Sequence, residues 1–219
     1  MSNHTKLNMA ERLSAAQLAI DAVLADPDVQ AALTPYGYDV AAMTAARALY
    51  DEIQTLTAVQ KLEYGEQYEA TQNLNKAWAT ADAAYTNSLQ LARIAFKKNG
   101  KGQSALGLNG RRKESYSGWV EQVTLFYKGL LDSPALQAEM TKYGYNTAKW
   151  EAEYALVQAV VAANVVQERE KGEAHDATKA RDAVLDELDE WLSDFKAVSQ
   201  IALANMGQKL EGLGFGPVP

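Results

Sequence analysis

The chain has 219 residues, 28 acidic against 21 basic, and no cysteine. That length suffices for one large or two small domains with a real core. The missing cysteines exclude a disulfide framework, a thiolate metal site and a cysteine nucleophile, and the net charge of −7 argues against a nucleic-acid partner.

A first helix is predicted from near Asn8, carrying Leu13, Leu18, Ile20, Val23 and Leu24. Pro27 ends or kinks it, because proline lacks a donor and restricts the residue before it. Asp26-Pro27 also reads as the cap and first turn of a short segment through Leu33. Thr34-Pro35-Tyr36-Gly37-Tyr38-Asp39 is a helix–helix turn. Gly37 suits the left-handed conformation that closes a helix, and Asp39 can cap the next one.

From Val40 to about Lys98 there is no proline and one glycine, Gly65. Apolar spacing is helical at both ends of this stretch, while 60–73 is mostly polar. Asn99 to Lys113, with Gly100, Gly102, Gly107 and Gly110, reads as a looser segment.

The same plan then recurs. Trp119, Val123, Phe126, Leu130 and Leu131 mark a helix, Ser133-Pro134 follows, and Tyr143-Gly144-Tyr145-Asn146 stands where Tyr36-Gly37-Tyr38-Asp39 stood. A second long helical stretch runs past Gly172 to a glycine-rich tail containing Gly207, Gly212, Gly214 and Gly216. Ungapped pairing of residues 12–108 with 119–215 gives about 26 identities in roughly 97 positions, and prolines and glycines coincide. The expected fold is all-α and internally duplicated. Each repeat, 1–112 and 113–219, holds a short helix and a long one that Gly65 or Gly172 could break.

Two arrangements suit such a repeat. The chain turns back at the mid-helix glycine to make two separate three-helix bundles, or the long helices stay continuous and run antiparallel about a pseudo-twofold axis, the repeats sharing one intertwined unit. The residues around Gly65 and Gly172 are good helix formers without proline, which favours continuity.

Chemistry is scarce. His4 lies near the terminus. His175 stands beside Glu168, Glu173 and Asp176, where a metal site is conceivable but a solvated helix face is the plainer reading. Neither the Glu-x-x-His pair of di-iron bundles nor the His-Glu-x-x-His helix of zinc proteases occurs. The carboxylates at 182–190 and 63–69 read as exposed faces, not as an acid–base pair. Asp82 and Asp189 fall near the apolar stripe, where each could cap a polar contact between helices. No catalytic residue, cofactor or metal is expected.

The candidate contact residues are therefore of two kinds. Lys97, Lys98, Lys101, Arg111, Arg112 and Lys113 form a basic segment suited to an acidic partner or to the acidic end of another copy. Tyr36, Tyr38, Tyr143 and Tyr145 either present phenols to a ligand or pack over helix ends. The expectation is a non-enzymatic helical bundle acting by macromolecular interaction or self-association. Its alternative is a small-molecule binder with a pocket near the Tyr-Gly-Tyr turns. The longest apolar run, 155–166, is interrupted by Gln158 and Asn164 and is too short to span a membrane. Residues 1–6 lead into an amphipathic helix and not an apolar signal core, so a cytoplasmic protein without a membrane partner is expected.

Overall fold

A computed structural model describes residues 8–215; His4 and Gly216, named above, lie outside the described residues. Among the described residues the chain is helical, without strands. The helices are α1 Met9–Ala25, α2 Pro27–Leu33, α3 Val40–Ala95, α4 Gly100–Ala105, α5 Tyr116–Leu131, α6 Pro134–Thr141, α7 Thr147–Ala202 and α8 Gly207–Gly212. No described helix is long and apolar enough to cross a membrane.

The local signals act as their chemistry demands. Asn8 and Glu11 form a reciprocal capping box at the start of α1. Asp26 accepts from the amides of Asp28 and Val29 ahead of Pro27, the first residue of α2. The Gln30 side chain then donates to the Val23 and Leu24 carbonyls, both at 3.0 Å, satisfying oxygens at the open end of α1. Gln137 does the same for Leu130 and Leu131 at the end of α5. Gly37 and Gly144 take φ of 87° and 79°, the left-handed conformation that only glycine adopts without strain. Asp39 and Asn146 follow and cap α3 and α7, each accepting an amide at 2.9 Å.

The two long helices are unbroken. Each spans 56 residues and passes through its central glycine as α-helix. The segments flanking them differ from the sequence reading: both the looser stretch after Lys98 and the glycine-rich tail contain a six-residue helix, α4 and α8. Packing decides there, because Leu106, Leu108, Leu210, Leu213 and Phe215 are buried within or next to these turns.

The chain forms two compact units. Unit 1 comprises residues 1–63 and 173–219, and unit 2 comprises 64–172. Unit 1 therefore contains α1, α2, the first part of α3, the last part of α7 and α8. Its interior holds Ala19, Val23, Leu33, Met43, Phe195, Leu203 and Leu213, with a second group around Ala16, Ile53, Leu185 and Leu188. Unit 2 contains the rest of α3 and α7 together with α4, α5 and α6. One cluster fills it, centred on Tyr85, Phe96, Trp119, Phe126, Tyr127 and Trp150.

Burial lapses in the middle of the long helices. On α3 no residue between Ile53 and Ala70 is buried, and on α7 none between Val160 and Glu170. Those stretches owe their helical form to propensity and local pairs, because packing covers them least.

Candidate functional site

The Tyr-Gly-Tyr turns divide their phenols. Tyr36 and Tyr143 stand exposed. Tyr38 packs edge-on against Phe195 at 5.2 Å and Trp191 at 6.4 Å, and burial raises its phenol above the usual range. Tyr145 is buried, with the Lys149 ammonium 3.8 Å above its ring. The second tyrosine of each turn thus belongs to a core. Only the first is presented to solvent.

The basic segment divides as well. Lys97, Lys98, Lys101 and Lys113 are exposed, and Arg111 pairs at 2.8 Å with Glu114. Arg112 turns inward. Its guanidinium binds the Asp82 carboxylate, donates to the Thr86 hydroxyl at 2.8 Å and lies 5.3 Å from the Tyr85 ring centre. The Trp119 indole donates to the same Asp82 oxygen at 2.6 Å. The loop between α4 and α5 is held further by Arg93 donating to the Gly110 carbonyl and by the Lys113 amide donating to Gln122. Arg112 is thus a clamp that fixes the loop, and the lysines around it stand in solvent. A cleft of about 370 Å³ opens beside this clamp, lined by Trp78, Asp82, Arg112, Lys113, Glu114 and Trp119.

Asp189 is engaged in the corresponding way in unit 1. Arg12 of α1 donates through Nε to Asp189 at 3.0 Å, and Asp186 lies 3.9 Å from the same guanidinium. A groove of about 650 Å³ lies there, with Ala15, Leu192 and Phe215 as its apolar lining.

One polar cluster had no signal in the sequence. In unit 2 the Glu153 carboxylate accepts from the fully buried Ser88 hydroxyl and, at 3.0 Å, from the Tyr127 hydroxyl. Burial, with the Glu153 charge beside it, pushes the Tyr127 phenol far above its usual range. Burial also pushes Tyr85 up to about 12, against the opposing pull of Arg112. The three partners lie on α3, α5 and α7, so no spacing along the chain could announce them. One carboxylate oxygen of Glu153 thus ties hydroxyls from two other helices together, which is the behaviour of a core fastener.

The middle of the long helices also leaves apolar side chains in solvent. In unit 1 Val59 is exposed and Leu62 is 61% exposed, while Gln60 is tied to Thr178 at 2.9 Å and to Arg181 at 2.5 Å. In unit 2 Tyr68 is 68% and Val165 65% exposed, with Tyr64, Val161 and Val166 also in solvent. The sequence reading of these stretches as mostly polar passes over this residual apolar content. His175 is exposed on the same helix.

No family model, curated protein or solved structure matches the chain.

Proposed function

We propose that this is a non-enzymatic helical protein that binds another macromolecule, a second copy of itself included, through the uncovered stretches of its long helices within unit 2. The scaffold is read as a tandem duplication with pseudo-twofold symmetry. Support for that comes from residues 107 positions apart doing the same local work: Gln30 and Gln137, Gly37 and Gly144, Asp39 and Asn146. Cytoplasmic residence belongs to the same proposal.

The observation that carries the function is the exposure of Tyr68, Val161, Val165 and Val166 within unit 2, on helix stretches that bury nothing. Single exposed apolar residues are ordinary, but several within a few turns are a surface that association would cover. The interior polar groups argue in the same direction. Glu153, Asp82 and Asp189 each accept hydrogen bonds from side chains elsewhere in their own unit, which is the work of groups that fasten a fold.

A photo-reactive residue placed at position 68 or 165 should give one defined protein adduct in cells. Tyr68→Glu with Val165→Glu should abolish the association, with helix content unchanged by circular dichroism. The reading is overturned if neither position gives an adduct, or if association survives both substitutions.

A further inference from the structure

The two units differ in charge. Unit 1 has 8 Lys and Arg against 17 Asp and Glu, and unit 2 has 13 against 11, so the chain's −7 divides into −9 and +2. Within unit 2 the cations are concentrated. Six lie between Lys97 and Lys113 with no carboxylate among them. Asp82 engages Arg112 and Glu114 engages Arg111, which leaves Lys97, Lys98, Lys101 and Lys113 in solvent. In unit 1 the opposite face exists. Asp186, Glu187, Glu190 and Asp194 are exposed on α7, at the spacing that aligns side chains along one side of a helix whose other side buries Leu185, Leu188 and Phe195.

We propose that these two surfaces recognise each other between copies: the lysine face of unit 2 in one molecule docks on the acidic face of α7 in unit 1 of a second. The inference rests on the reading of the chain as an interaction protein, names its partner, and uses residues apart from the exposed helix middles. Net repulsion between two copies of −7 does not prevent the contact. At physiological ionic strength the screening length is about 8 Å, so approaching molecules respond to local faces more than to total charge. A second copy also supplies the acidic face at the same concentration as the lysine face. Because the two faces are unlike, the contact is heterologous, and it repeats into a ring or a chain where a self-complementary contact would stop at a dimer.

Sedimentation of the intact chain tests this. Wild type should associate with rising concentration, and its apparent affinity should fall at least about tenfold between roughly 0.1 and 0.5 M NaCl, as for contacts made by exposed charges. Lys97→Glu, Lys98→Glu and Lys101→Glu together should leave a monomer, as should Asp186→Lys, Glu187→Lys and Glu190→Lys together. All six positions are exposed, so helix content should stay unchanged. Mixing the two variants should restore association, because each then offers the other a complementary face. Failure of the mixture to associate, or variants that associate like wild type, overturns the inference. So does a wild type that stays monomeric while its lysine face binds heparin, which would assign that face to a polyanion. Loss of association on Tyr68→Glu with Val165→Glu, but not on charge reversal, would sink this inference and leave the proposed function standing.

Discussion

Units 1 and 2 answer one packing problem with different side chains. Where unit 2 has Phe126, Tyr127, Trp150 and Tyr85, the positions 107 residues away in unit 1 carry Ala19, Ile20, Met43 and Leu192. The exchange runs the other way at Ser88, whose counterpart is Phe195. Unit 2 thus places its bulk largely on α5 and hydrogen-bonds a small residue on α3, while unit 1 keeps α1 slim and sends a phenylalanine inward from α7. Cores tolerate such exchanges when total volume and pattern are kept. The difference lies in polarity. Unit 2 accepts a buried hydroxyl–carboxylate cluster at Ser88, Tyr127 and Glu153, whereas unit 1 has Ala46 where Glu153 stands.

The largest effect that would sharpen this contrast comes from Glu153→Ala. It leaves the Tyr127 and Ser88 hydroxyls buried without an acceptor, at about 1–3 kcal/mol for each group. Urea denaturation should record the loss, and Glu153→Gln, which keeps an acceptor, should recover part of it. A neutral Glu153→Ala would mean the cluster is no fastener, and the two units would then be alike in what holds them.

Alkaline pH should separate the units next. A buried phenol raised above its ordinary value stays protonated in the fold after the unfolded chain has lost its proton. Its stabilisation is complete below about pH 10 and is lost as pH rises toward the folded value, about 12 for Tyr85 and higher for Tyr127. Both residues belong to unit 2. Tyr85→Phe should flatten the alkaline loss seen by circular dichroism, and an unchanged profile would contradict the assignment. Unit 1 has one raised phenol, Tyr38, and an acid-side contact besides. Lys209 holds the Asp26 carboxyl below its usual value, so that contact stabilises at neutral pH and is lost as pH falls through the folded value.

Glycine substitutions give the smallest effects, and here the units should agree. Gly37→Ala and Gly144→Ala each force a β-carbon into the left-handed region, costing about 1 kcal/mol in either unit. Gly65→Ala and Gly172→Ala should instead stabilise by up to about 1 kcal/mol, since both sit inside continuous helix with open space where the β-carbon would go. Thermal melts of the four variants settle both signs. Destabilisation at Gly65 or Gly172 would point to a chain turn there.

Much of the fold is written locally. Pro27, Pro134, Gly37 and Gly144 announce the helix boundaries, because each acts through its own backbone. Continuity through Gly65 was only a preference, since one glycine shifts a helix by about 1 kcal/mol and distant packing can override that. The helices α4 and α8 look loose in sequence because each has two glycines in six residues. What holds them is burial of leucines just beyond them. Among the site residues, the exposed lysines were legible as charge. The inward turn of Arg112 was not, since its partner Asp82 lies 30 residues away. The Ser88–Glu153 contact spans 65 residues and is likewise invisible to any local pattern.

The division of the chain sets an order of assembly. Ribosomes deliver residues from the N-terminus, and domains generally fold as their last residue emerges. Unit 2 is one uninterrupted span, 64–172, and has all its parts as soon as that span is out. Unit 1 begins first and finishes last. Arg12 waits for Asp189, a separation of 177 residues, and Asp26 waits for Lys209, a separation of 183. Contacts closing such long loops form slowly. Until they close, Val23, Leu33, Met43 and Ile53 have no Leu188, Phe195 or Leu213 to pack against. The nascent protein should therefore mature from its inner span outward, and a chain released before α7 is complete would carry a finished unit 2 on an unfinished N-terminal arm.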